Sequence, residues 1–108
     1  TDPVLSKQRY CEELGRLDCH VYWDCYDAEK RAEVAKTRDI GTSEADCLTR
    51  LRTPCAAMPF SCPDDKVYQE MKAGGCIRAK NVLSCNDWLA DTPPAPPACL
   101  VICTDRVF

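Results

Sequence analysis

Ten cysteines in 108 residues constrain this chain more than any other feature. They fall at Cys11, Cys19, Cys25, Cys47, Cys55, Cys62, Cys76, Cys85, Cys99 and Cys103. That density marks a disulfide scaffold. The count is even and no Cys-x-x-Cys pair occurs, which favours bridges over a zinc knuckle. The closest spacing, Cys99-x-x-x-Cys103, fits such a knuckle poorly. Reducing cytosol seldom holds so many paired thiols, so the expected setting is oxidising: secreted, periplasmic or outer-surface.

The cysteines are set on helical patterning. From Tyr10 to Cys25 the chain reads YCEELGRLDCHVYWDC, and its apolar positions Tyr10, Leu14, Leu17, Val21, Cys25 and Ala28 follow one buried helix face. Three cysteines share this stretch, making it a spine to which other segments can be tied. Asp2-Pro3 reads as its start, an N-cap followed by proline at the first helical position. The segment AEKRAEVAKTR either continues the spine or forms a second helix after a break, with Gly41 as the stop. Thr42 to Asp46 opens a short helix whose face is Ala45, Leu48 and Leu51, and Pro54 closes it. Asp64-Asp65 is expected to start another helix, weakened or bent at Gly74-Gly75. Asn86 to Leu89 can cap a further turn. TPPAPP must be extended, and ACLVICTDRVF is a short apolar tail. No strand signal rivals the helical ones. The expected fold is all-α: residues 1–108 as a single domain, a bundle of three or four helices stapled by up to five bridges, with a proline-rich loop and a short tail.

Cysteine spacing narrows the pairing without fixing it. Cys11 and Cys19 are eight apart, as are Cys47 and Cys55. Antiparallel helices pair positions of constant index sum, which suits Cys11–Cys55 with Cys19–Cys47. If the spine ran unbroken to Lys36, however, Cys19 would lie about 25 Å from the turn and Cys47 only about 8 Å. A bridge needs Cα atoms within roughly 7 Å. Either the spine breaks near Asp27, or Cys25–Cys47 and Cys19–Cys55 pair instead. Cys85 and Cys99 flank the proline stretch, and a bridge between them would close it as an arch. Each bridge closing roughly 15–40 residues contributes about 3–4 kcal/mol in the chain-entropy model.

The stretch from Gly74 to Cys103, GGCIRAKNVLSCNDWLADTPPAPPACLVIC, resembles cysteine-rich secreted proteins and lipoproteins of myxobacteria and related predatory bacteria. The shared pattern is Cys, an apolar pair, Leu-Ser-Cys, a short helix, then Pro-Pro-Ala-Cys. YCEELGRLDC and ADCLTRLRTPC are similar to that family's cysteine-bearing helices. The resemblance implies an exported, disulfide-rich helical protein and carries no catalytic residue with it. The chain opens at Thr1 on a helix start without a leader, which points to a processed form.

Composition excludes some partners. Net charge is −3 with acids and bases interspersed, which argues against nucleic acid or an anionic membrane as the main partner. No apolar run approaches the ~20 residues of a membrane span. His20 is the only histidine, four residues before Asp24 and flanked by Cys19 and Cys25. This arrangement resembles secreted phospholipases A2, but their His and Asp are adjacent, and neither their double cysteine nor their glycine-rich calcium loop has a counterpart. An exposed helix pair is the better account. Asp64, Asp65 and Glu70 lack the D-x-D-x-D-G spacing of a calcium loop and read as helix caps. No metal or cofactor is expected. Tyr22, Trp23 and Tyr26 cannot all face the core, and with Trp88 they are the candidate partner-binding residues. The expected function is therefore non-enzymatic: an exported binding or structural module at a bacterial surface or in an extracellular assembly, acting through a protein partner. A secreted inhibitor or toxin-like effector is the alternative. A phospholipase-like hydrolase using His20 and Asp24 is third. A mitochondrial intermembrane-space hairpin protein is fourth, although its usual nine-residue cysteine spacing is absent.

Overall fold

A computed structural model describes residues 3–106. The spine is α1, Lys7–Asp24, and it begins later than Asp2-Pro3 suggests. Ser6 is the cap, its Oγ accepting from the backbone N–H of Arg9 at 3.1 Å; Asp2 lies outside the described residues. The spine also ends early. Cys25 closes α1, and Asp27 starts a new helix, α2 (Ala28–Ala35), by accepting from the N–H of Lys30 at 2.8 Å. Arg31 reaches back and donates to the carbonyls of Tyr22 and Tyr26, satisfying acceptors that the end of α1 leaves open. Ala28, expected on the buried stripe, is exposed because the stripe stops with the helix.

This break decides the cysteine register. The bridges Cys11–Cys55 and Cys19–Cys47 pair α1 antiparallel to α3 (Glu44–Arg52) and to the short 3-10 turn that follows it (Thr53–Ala56). Pro54 tightens that turn rather than ending the segment outright. Ser43 caps α3, and the Asp46 carboxylate accepts from the N–H of Thr42, the first of the contacts that lower its pKa; Arg50 is the second. Gly41 is not a helix stop. The turn at Thr37 and Arg38 ends α2, and Gly41 lies in the following loop at φ +72°, where a Cβ would overlap the Asp46 carboxylate.

The fold is mostly helical but not purely so, and it has five α-helices among the described residues rather than three or four. Lys66–Tyr68 (β1) pairs antiparallel with Cys103–Asp105 (β2), with Lys66 opposite Asp105 and Tyr68 opposite Cys103. The Cys62–Cys103 bridge and the Lys66–Asp105 ion pair hold this two-stranded ribbon. Asp64-Asp65 therefore leads into a strand, and the next helix, α4, starts only at Glu70 and runs unbroken to Asn81. Gly74-Gly75 does not bend it. Ala73 to Ile77 form a buried run, and Gly74 lets the backbone of Pro3 approach so closely that a Cβ would overlap its carbonyl oxygen. A capping box from Ser84 and Asp87 opens α5 (Cys85–Leu89).

The proline stretch is not closed by Cys85–Cys99. Cys85 pairs with Cys25 at the end of α1, and Cys99, on the 3-10 turn Pro97–Val101, pairs with Cys76 of α4. The loop is thus anchored at both ends to different helices, with residues 91–95 exposed. Two apolar clusters result. The larger joins Leu5, Tyr10, Leu17, Ala73, Ile77 and Ile102, with Phe60 edge-on to Tyr10 at 4.9 Å. The smaller is Ile40 with Cys19 and Cys47, half-covered by Tyr22, Trp23, Val34, Leu48 and Leu51. Among the described residues no helix is long and apolar enough to cross a membrane.

Candidate functional site

Tyr22 and Trp23 near the end of α1, and Tyr26 just beyond it, are half-buried, and cations lie over them. Tyr22 and Tyr26 lie 5.6 Å apart, centroid to centroid. Lys30 sits 4.5 Å over Tyr26, Arg31 5.5 Å from Trp23, and Arg38 5.9 Å from Tyr22. Trp23 leans on the smaller core. The Tyr22 hydroxyl accepts from Arg38 at 2.6 Å, and Arg38 also pairs with Asp18 at 2.8 Å. Burial, reinforced by the Asp18 charge, raises the Tyr22 pKa. Trp88 is set apart. It lines a polar cleft of about 390 Å³ with Glu13, Arg16, His20 and Lys80, and Lys80 lies 6.0 Å from its ring.

A second feature escaped the sequence reading. Beside the Cys11–Cys55 bridge, Leu14, Leu51, Met58 and Phe60 line a groove of about 290 Å³ whose polar wall is Asp18 and Arg38. Met58 is 77 % exposed there. Arg38 belongs both to the groove and to Tyr22, so the groove and the tyrosine pair form one continuous face. The residues come from α1, the loop between α2 and α3, the end of α3 and the loop before β1, segments that only the long-range pairing brings together. The apolar Met58–Phe60 pair, placed just after Cys55 in an otherwise loop-like stretch, was the available signal.

His20 and Asp24 form the helix pair expected of them. His20 Nδ1 lies 2.6 Å from Asp24 Oδ2, and both side chains are half-exposed. What the sequence did not reveal is Glu44, the first residue of α3. One donor atom from each of His20, Asp24 and Glu44 lies within 4.8 Å of the other two. Glu44 Oε1 is closed off from solvent and has no hydrogen-bond partner among the described residues. The antiparallel pairing carried the signal. The two bridges join residues whose numbers add to 66, so residue 22 stands opposite Glu44, midway along the chain between His20 and Asp24.

No protein-family model, curated protein or solved structure matches this chain.

Proposed function

We propose that this protein is a non-enzymatic exported module of a bacterial surface or extracellular assembly, related to the cysteine-rich myxobacterial proteins it resembles, and that it acts by binding a protein partner. The observation that carries the reading is the continuous face from Met58 and Phe60 through Arg38 to Tyr22 and Tyr26. It combines an exposed thioether, adaptable at binding surfaces, with tyrosine rings and a guanidinium, side chains enriched in protein recognition hot spots. It also sits on helices cross-linked at Cys11–Cys55 and Cys19–Cys47, so little conformational freedom remains to be lost on binding. Five bridges favour an oxidising location.

A photo-crosslinking residue at Ala57, beside Met58, tests this in the exporting cell. A discrete protein adduct is expected, with its yield cut at least fivefold by Met58→Asp and unchanged by Glu29→Gln on α2. A missing adduct, or one indifferent to Met58→Asp, refutes the reading. The exposed loop 91–95, anchored through Cys85 and Cys99, favours a second reading as a diffusible inhibitor or toxin-like effector. A crosslinker at Ala95 that captures a soluble hydrolase would shift the assignment to it.

A further inference from the structure

We propose that His20, Asp24 and Glu44 form a binding site for a divalent first-row transition-metal ion of the zinc class. The inference does not depend on the protein-partner reading.

The donor set is one imidazole nitrogen and two carboxylate oxygens, all within 4.8 Å. Three protein ligands with a further position left to water is the arrangement of open zinc sites. The nitrogen donor selects against calcium and magnesium, which take oxygen ligands. Bonds of about 2.0–2.2 Å to a shared tetrahedral ion would set the donors roughly 3.5 Å from one another, so the His20–Asp24 pair, now at 2.6 Å, would open to admit the ion. His20 and Asp24 are half-exposed, so side-chain rotation supplies that adjustment.

Three further observations point to a cation rather than to a chance cluster. Glu44 Oε1 is withdrawn from water without a partner, the condition in which an acceptor is least stable and a cation most effective. Two carboxylates from separate helices converge here, and among the described residues no lysine or arginine forms an ion pair with either. The point of convergence is also rigidly defined. His20 follows Cys19 directly, Glu44 precedes Cys47 by three residues, and the Cys19–Cys47 bridge holds the two Cα atoms 5.8 Å apart. The scaffold thus pre-positions ligands from both helices. His20 Nδ1 and Asp24 Oδ2 are paired with each other at 2.6 Å; a bound ion would replace that contact, taking the Nδ1 lone pair and leaving the ring proton on Nε2. The bound ion would span α1 and α3 on the solvent side of the bridge.

The test uses the fully oxidised chain and Zn2+ alone. Equilibrium dialysis should show one ion per chain, with affinity at least tenfold weaker in His20→Ala and in Glu44→Gln, and unchanged in Glu29→Gln. Calcium in tenfold excess should leave the zinc bound. Because the chain has a single histidine, its imidazole nitrogen resonances report on the unmodified protein and should shift with saturation at one equivalent. An intact mass ten hydrogens below that of the reduced chain excludes zinc held by thiolates. Absence of binding, an unmoved imidazole signal, undiminished affinity in either ligand variant, or displacement by calcium would each overturn the assignment.

Discussion

Replacing Cys19 and Cys47 together by alanine asks whether the smaller core is held by its bridge or by apolar burial. Ile40 is the other buried member of that cluster; the remaining contacts are half-buried. For an isolated loop spanning 28 residues, the chain-entropy model gives the bridge about 3.6 kcal/mol at 25 °C. The enclosing Cys11–Cys55 bridge lowers this. In the variant the unfolded chain is already closed at that outer pair, so Cys19–Cys47 would add only the ring made by the two eight-residue arms. That ring, about 16 residues, corresponds to about 3 kcal/mol. Both sulfurs are fully buried, and truncating them leaves methyl-sized voids that cost a further 1–2 kcal/mol, roughly. The expected loss is therefore about 4–5 kcal/mol. It is read as a lower midpoint in guanidinium unfolding, on protein whose mass confirms the other four bridges closed. The m-value should rise slightly, because the less cross-linked unfolded chain exposes more surface. A loss below about 2 kcal/mol would refute the reasoning and show that side-chain packing holds the helix pair.

Three other outcomes follow from the same structure. Gly74→Ala drives a methyl into the Pro3 carbonyl and should cost about 1–3 kcal/mol in thermal or denaturant unfolding; a neutral result would mean the segment before α1 is not held against α4. Ser84→Ala removes the cap of α5 and should cost about 1 kcal/mol, with faster amide exchange at Asp87. The Tyr68 hydroxyl donates to the carbonyls of Leu5 and Ser6, and burial, aided by Tyr10 and Glu70, pushes its pKa up to about 12. An unfolded tyrosine ionises near pH 10, roughly. The folded value is the higher one, so the stability Tyr68 supplies is whole below the unfolded value and declines as pH climbs toward the folded one. Tyr68→Phe should shrink that decline; an unchanged alkaline unfolding curve would place the hydroxyl in water.

What the sequence revealed, and what it hid, divides by range. The matched eight-residue spacings of Cys11/Cys19 and Cys47/Cys55 contained the register of α1 on α3, and the choice turned on a local matter, the capping ability of Asp27. The cap at Ser43 was equally legible, because it bonds within three residues, whereas the turn expected to be capped from Asn86 is capped by Ser84 instead. The ribbon was not legible. Lys66-Val67-Tyr68 is too short to show alternation, and its partner lies 35 or more residues away, pinned by Cys62–Cys103. Gly74-Gly75 reads locally as a flaw in a helix; its purpose, contact with Pro3, is invisible without the fold. Cys85–Cys99 was a reasonable closure of a proline loop, yet both cysteines find partners on longer helices instead. Of the candidate sites, the His20–Asp24 pair was readable from helix periodicity. Glu44 and the Met58–Phe60 groove needed the pairing of segments far apart in the chain.

The order of the five bridges has a consequence for a chain that has been cut. Every peptide bond from Cys11 to Cys103 lies within the span of at least one bridge. A single backbone scission anywhere in that range therefore releases no fragment, and the two pieces travel as one molecule until a reductant arrives. The redundancy is uneven. Three stretches have one spanning bridge: Cys11 to Cys19 relies on Cys11–Cys55, Cys55 to Cys62 on Cys25–Cys85, and Cys99 to Cys103 on Cys62–Cys103. The stretch holding Met58 and Phe60 is thus one of three where a clipped molecule would depend on one sulfur–sulfur bond to stay whole.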